Sequence, residues 1–417
     1  LRTFSKADIE ILTENYAYDL DDLQIENVVD SGSLTFHKIV SSTGSSGSGS
    51  GNLTPILPPP EPKNWSSQDG YGHISAERAF ETLLGIEIPS VPDLGGNLWG
   101  CDNVGAPEVW AASGSFPGVT GKDITVAVCD TGIDYNHIEF KGRIVDGYDF
   151  VNNDDDATDG HGHGTHCSGT IAGANDGTGI TGIAYDAKIM PVKVLSDGGS
   201  GSTAGVVAGV RWAVDNGADV INLSLGGGGF LQSFKDAVKY AADAGAIVCM
   251  SAGNAGGSQP GYPARYAVDN GIAVGAVDQG RNLAGFSNRS GTTEMDYVTA
   301  PGVAVYSALP GGGYASWNGT SMAAPHVSGV AALLRSFDKT ISAAHIEQLI
   351  SATASNNDSS WEISDDLFSD TVQSSASQIN EHYAYTFDDN ATGEDYLAWA
   401  KGFIRSDESQ FFGNEPV

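Results

Sequence analysis

The sequence predicts an α/β fold three layers deep, with a mostly parallel central sheet and helices on both faces. Two observations predict it. Short, continuous apolar runs recur at 124–129, 189–194, 220–225, 247–251 and 272–277. Helical patterns separate them at 163–172, 204–216 and 234–244, and two more at 322–334 and 343–352 close the region. A strand that is apolar at every residue is buried on both faces, as in parallel sheets sandwiched between helices. In such sheets functional groups gather beyond the carboxyl ends of the strands.

The flanks differ in texture. Residues 1–40 are acidic, with a short helix expected at 6–16 and a strand at 34–40. Residues 41–64 pass from nearly pure Ser/Gly to Pro-rich sequence, which reads as a flexible linker followed by a stiff one. In 65–90, Ala76, Phe80, Leu83 and Leu84 share one helical face over 75–84. Residues 91–355 hold the main domain, and 356–417 form a second acidic extension.

With 20 basic against 52 acidic residues the formal net charge is −32. Such a surface repels nucleic acid and anionic membranes, so neither is expected as a partner, and it favours divalent cations. No run of 18 apolar residues is present to span a membrane. Without an initiator Met or a basic-plus-apolar leader, the sequence reads as a processed or trimmed form. Cys101, Cys129 and the other two cysteines, Cys167 and Cys249, are expected as free thiols, three of them in apolar or Gly-rich runs. A monomer is expected.

Three segments carry chemistry. Asp130 stands at the tip of the first strand, in Val126-Ala-Val-Cys-Asp130. His163 lies in Asp159-Gly-His-Gly-His163-Gly-Thr-His166, where the glycines let a helix start tight against the sheet. Ser321, in Asn318-Gly-Thr-Ser321-Met-Ala-Ala-Pro, starts another helix and sits in the positive field of its N-terminus. A serine hydroxyl is a weak nucleophile until an imidazole accepts its proton, and that imidazole needs a carboxylate to orient it. The chain supplies one candidate for each role, in the order Asp, His, Ser that is known for subtilisin.

These segments closely resemble the three signature motifs of the subtilase family, over a stretch running from Leu98 to about Ser355. The resemblance implies a subtilisin-like fold and a secreted serine endopeptidase acting on proteins and peptides. Asp130 would orient, His163 would serve as general base and then acid, and Ser321 would attack. Ser251-Ala-Gly-Asn254 resembles the oxyanion segment, with Asn254 as side-chain donor beside the Ser321 N–H. Ser224, Leu225, Gly226 and Gly227 resemble a wall of the pocket for the residue before the cut. Gly199, Ser200 and Gly201 resemble the edge strand that pairs with substrate backbone. Tyr262-Pro263 resembles the family's cis-proline turn, and Gly261 leaves the primary pocket deep, favouring large uncharged side chains. Thr203 leaves the more distant apolar pocket open.

The resemblance also implies two Ca2+ sites. One takes side chains from Glu139 and Asp176 and carbonyls from Ala174, Thr178 and Ile180. The other, as in the thermitase-like branch, takes Asp149, Asp154 and Asp156 with the Thr158 carbonyl and Asn152 completing the oxygen shell. In the first, Glu139 stands where the family usually has Asp.

Other readings compete. His161, His163 and His166 could form a zinc cluster, but ligands at i, i+2 and i+5 share no helix face and no Glu adjoins them. A catalytically silent subtilase fold has no support, because all four catalytic positions hold competent residues. Residues 1–90 could be an inhibitory prosegment, yet the Ser/Gly/Pro linker interrupts them after about 40 residues. Family domains usually close with a Gly-Tyr-Gly turn and a helix that packs back on the core. Asp69-Gly-Tyr-Gly-His-Ile-Ser75 has that look but precedes the main domain, so its helix either docks beside 343–352 in place of the missing element or lies elsewhere on the surface as a local N-terminal helix.

Overall fold

The computed structural model describes residues 65–114 and 116–355. The expected helix at 6–16, the strand at 34–40, the linker at 41–64 and the extension at 356–417 lie outside the described residues. Within them a seven-stranded parallel sheet runs through the molecule. Its strands are β1 (Thr125–Asp130), β2 (Tyr148–Asp149), β3 (Lys188–Lys193), β4 (Val220–Leu223), β5 (Ile247–Ser251), β6 (Ile272–Val277) and β7 (Tyr297–Pro301), in the order β2-β3-β1-β4-β5-β6-β7. A separate antiparallel hairpin pairs β8 (Val305–Leu309) with β9 (Gly313–Trp317).

Each of the five apolar runs forms a strand, shifted by two residues at most. The sequence reading missed β2, which is two residues long, and β7, where Thr299 and Pro301 break the apolar run. The chain leaves β1 for the edge, returns to insert β3 beside β1, and resumes with β4 on the other side. The winding therefore reverses at β1, opening a crevice above its carboxyl end.

The helices are α1 (Ala76–Leu84), α2 (Trp99–Asn103), α3 (Ala106–Trp110), α4 (His163–Ala172), α5 (Thr203–Asp215), α6 (Gln232–Asp243), α7 (Thr320–Phe337) and α8 (Ala343–Thr353). Alternation along β1 sorts them into two layers. Val126 and Val128 are buried in one cluster with Ile171 of α4, Val327 of α7 and Ile346 of α8. Ala127 and Cys129 are buried in the other with Val206 of α5 and Val238 of α6. Because successive strand residues point to opposite faces, Asp130 faces the same side as Val126 and Val128, toward α4 and α7. That parity decides where the site forms. All four cysteines are buried free thiols.

The segment before the main domain is part of its core. The Ser75 hydroxyl caps α1 by accepting from Arg78 N at 3.1 Å, and Gly85 ends the helix with φ +61°. Upstream, Tyr71 N and Ile74 N donate to the Tyr297 and Thr299 carbonyls of β7, and His73 exchanges two hydrogen bonds with Ser355. α1 lies against α8. Phe80 is fully buried in one continuous cluster with Ile346 and Ile350, its ring edge-on to Phe116 at 5.6 Å and to Phe337 at 5.8 Å.

Deleting a large aromatic from such a site leaves a cavity as well as lost burial. Phe80→Ala is expected to lower the unfolding free energy by about 3–5 kcal/mol in denaturant titration. A change of less than about 0.5 kcal/mol, the scale of a surface substitution, would show that α1 is not a core element.

Candidate active site

Asp130 closes β1 and is completely buried. Its Oδ1 accepts from the Thr131 N–H at 2.7 Å and lies 2.7 Å from Nδ1 of His163, the first residue of α4. Burial disfavours the charged imidazole, but the Asp130 carboxylate outweighs it and raises the His163 pKa well above the ordinary 6.5. The ring is partly open to solvent, with 20% of its side-chain surface exposed.

Ser321 is the second residue of α7, and α7 packs directly on α4. Two bonds to its carbonyl fix its place: Ser224 Oγ, just past β4, at 2.8 Å and Cys167 Sγ, from α4, at 3.4 Å. The same Cys167 Sγ is 4.0 Å from His163 Nδ1, so the thiol touches both the base and the nucleophile's backbone. Desolvation raises the pKa of this thiol, which keeps it neutral. Being in the first turn of α7, the Ser321 N–H has no intrahelical acceptor and remains available to a ligand.

Asn254 lies in the loop after β5. Its Oδ1 accepts from Thr320 N at 2.8 Å and Thr320 Oγ1 at 2.9 Å. Those donors settle the orientation of the amide and leave Nδ2 as its donor end, which a Cβ on Gly319 would approach to 3.4 Å while lying 3.6 Å from the Ser321 nitrogen. Two N–H groups thus converge near Ser321, an arrangement suited to a developing oxyanion.

The sequence reading missed Asp159. This buried carboxylate accepts from the N–H groups of His161, Gly162 and Thr165 and from the Thr131 and Thr165 hydroxyls. Burial opposes its ionisation, but these hydrogen bonds prevail and lower its pKa. It ties the loop that delivers His163 to the turn after Asp130. Its place three residues before a helix-starting glycine was a capping signal that could have been read. Trp317, at the end of β9, was also missed. Its indole stacks on His166 at 4.7 Å and on His163 at 6.2 Å.

The three histidines do not gather around one point. His166 is buried, its Nε2 3.1 Å from both the Val305 and Ala315 carbonyls, and burial pushes its pKa down to about 4, so it stays neutral. Among the described residues the one set of three or more His, Cys, Asp or Glu side chains close enough to share a metal ion is Asp130, His163 and Cys167, the hydrogen-bonded group just described.

The expected substrate walls face each other. Gly227 N donates to the Tyr262 carbonyl at 3.1 Å and Gly261 N to the Ala252 carbonyl at 2.8 Å. The Tyr262–Pro263 bond is cis. A Cβ on Gly261 would make ordinary contacts, 3.7 Å to the Ala252 carbonyl oxygen and 4.0 Å to the Asn288 amide nitrogen. Ser224 is buried, Leu225 half-buried, and Gly226 and Gly227 are exposed. Gly199, Ser200 and Gly201 are exposed and follow a turn at 197–198 without forming a strand, since a strand there needs a partner to pair with.

The acidic loops are ordered by their own carboxylates. Glu139, buried, accepts from Ala174 N and Ile180 N and from the Tyr314 hydroxyl. Asp176 is exposed and bonds Thr178 N and its hydroxyl through Oδ1. Asp149, also buried, accepts from Val151 N, Asn152 N and the Asn152 amide, while exposed Asp154 and Asp156 use Oδ1 on the N–H two residues on. Neither buried carboxylate is in an ion pair among the described residues. Glu139 Oε2 and Asp149 Oδ2 each accept a single bond and retain a lone pair, so hard oxygen donors are present in both loops for a cation such as Ca2+.

With this geometry in hand, comparison with known proteins is specific. The family model described as "Subtilase family" matches residues 121–383. Subtilisin DY of Bacillus licheniformis is 44% identical over 256 residues, covering 60% of this chain and 91% of that protein. Thermitase of Thermoactinomyces vulgaris is 42% identical over 267 residues, covering 64% and 91%. The crystal structure of a cold adapted subtilisin-like serine proteinase superposes with a TM-score of 0.55 at 37% identity, covering 63% of this chain and 93% of that one. A family match over more than half the chain, joined to a parallel sheet bearing Asp130, His163 and Ser321 at one crevice, leaves a single assignment: the chain belongs to the subtilase family and is a serine endopeptidase.

Proposed function

We propose that the enzyme cleaves proteins and peptides through an acyl-enzyme on Ser321. The observation that carries this is the Asp130–His163 hydrogen bond, buried at the Asp130 end, in the crevice where α7 starts. His163 Nε2 takes the Ser321 hydroxyl proton as Oγ attacks the scissile carbonyl. Asp130 holds the Nδ1 proton and stabilises the imidazolium that results. Asn254 Nδ2 and the Ser321 N–H receive the oxyanion, and His163 then protonates the departing amine. Water, activated by the same imidazole, releases the acyl group. In subtilisin itself loss of the corresponding Asn costs about 10²–10³ in turnover.

Specificity is broad, with large uncharged residues preferred before the cut. The lack of a side chain at Gly261, beside the Gly227–Tyr262 hydrogen bond that joins the two walls, supports that preference. The chain acts outside the cell as a monomer, a setting consistent with its net charge of −32. Ca2+ stabilises it at two loops. Glu139 and Asp176 with the carbonyls of Ala174, Thr178 and Ile180 hold one ion; Asp149, Asp154 and Asp156 with the Thr158 carbonyl hold the other. The single hydrogen bonds accepted by Glu139 Oε2 and Asp149 Oδ2, which leave each oxygen a lone pair for a cation, support both.

Three measurements test this reading. Ser321→Ala should lower kcat by about 10⁶-fold, the scale that loss of the nucleophile has in subtilisin itself, with the fold unchanged by circular dichroism. Retention of more than about 1% of activity would remove Ser321 from the mechanism.

The second is the pH profile. A raised pKa keeps His163 as imidazolium to higher pH, and only the neutral ring can accept the serine proton. kcat/KM should therefore climb with pH through an inflection above 6.5, and Asp130→Asn should move that inflection down while cutting kcat by roughly 10⁴. A wild-type inflection below 6.5 would contradict the Asp130 field.

The third is chelation. An ion bound only by the native state at about 100 times its Kd contributes about 2.7 kcal/mol, so a chelator should lower Tm by about 5–10 °C. Asp176→Ala should remove most of that dependence. An unchanged Tm in chelator would count against both sites.

A further inference from the structure

One exposed carboxylate joins three parts of the site that sequence places far apart. Lys193 ends β3 directly opposite Asp130 in the sheet register and is only 3% exposed. Its ammonium donates to the Thr131 carbonyl at 2.5 Å and to Asp197 Oδ1 at 2.8 Å. Asp197 sits in the 196–200 turn, which is closed by Gly199 N on the Ser196 carbonyl and by Ser196 N and Oγ on the Ser200 carbonyl. On its other side the Asp197 carboxylate lies against the backbone of Gly160. The contact is so close that a Cβ on Gly160 would lie 2.4 Å from Asp197 Cγ. Gly160 belongs to the loop that delivers His163, and Gly199, at φ +72°, would bring a Cβ within 3.0 Å of His161 Nε2 in that same loop.

We propose that Asp197 is a positioning residue, which through Lys193 and Gly160 sets the substrate-pairing turn at a fixed distance and register from Asp130 and His163. The proposal rests on the reading of Gly199–Gly201 as the edge that pairs with extended substrate. An ordinary exposed pair at i and i+4 contributes little and would be screened by salt. This one differs because its cation is buried and because the carboxylate also lies against the backbone of the His163 loop. A buried ammonium needs its partners, so Lys193 holds Asp197 in place as firmly as Asp197 holds the turn. Lys193 also keeps the Asp197 carboxyl below its usual pKa, so the clamp stays charged across the working range. A peptide that pairs with this turn transmits any error in its position to the scissile bond. An error on the scale of an ångström is costly in rate.

The test is substrate length. Wild type should favour a peptide with four residues before the cut over one with a single residue there. In Asp197→Ala the ratio of kcat/KM for the long to the short substrate should fall about tenfold, chiefly through kcat, with Tm within about 2 °C of wild type. Lys193→Met should act in the same direction, and the double variant should be no worse than the poorer single one, since both remove the same clamp. A preserved length ratio in Asp197→Ala, or equal losses on both substrates, would overturn the clamp while leaving the assignment of Ser321 intact. A wild type indifferent to length would overturn both the clamp and the substrate edge, and Ser321→Ala still reports separately on the chemistry.

Discussion

The Asp130–His163 hydrogen bond exists because two stretches of backbone touch. A Cβ on Gly164, in the first turn of α4, would lie 2.2 Å from the Gly132 carbonyl oxygen. Gly132 itself has φ +109° and would meet the Ala157 carbonyl at the same 2.2 Å. Any side chain at either position would push α4 away from the tip of β1 and lengthen a 2.7 Å contact that the mechanism requires. The rest of the site inherits its geometry from this approach. α7 packs on α4, so Ser321 is located relative to His163, and Asn254 is located relative to Ser321 through Thr320.

Charge is arranged around that contact with little waste. The buried Asp130 carboxylate faces an imidazole whose protonated form it favours, while the two deeper histidines, His166 and His326, are held neutral by burial at about 4. Of these three rings His163 alone is favoured in its charged form. Asp159 adds a second buried carboxylate, but it is ringed by N–H and hydroxyl donors and serves as a fixed anchor for the His163 loop. The same division holds in the Glu139 and Asp149 loops, where carboxylates order the backbone around them.

The stability of this frame depends on sequence outside the family match, which begins at residue 121. Residues 70–74 hydrogen-bond to β7 and to Ser355, and α1 buries Phe80 against helices from the far end of the domain. The main core therefore does not close until this early segment is in place. A segment whose apolar face is covered by α8 cannot be shed without exposing that face, in contrast to a leader joined only by a linker.

Much of this was legible from residues alone, because its signals are local. Runs of apolar residues reported buried parallel strands, and Gly-His-Gly-Thr and Gly-Thr-Ser reported tight helix starts bearing a base and a nucleophile. The cap at Ser75 and the apolar face of α1 were equally local. What sequence could not decide depends on partners distant in the chain. β7 is a strand only because β6 pairs with it, and 199–201 forms no strand for want of a partner. Asp159, Lys193 and Asp197 look like ordinary polar residues until folding brings Thr131, Gly160 and the α4 start around them. A carboxylate's role is set by which donors surround it, and only the tertiary structure decides that.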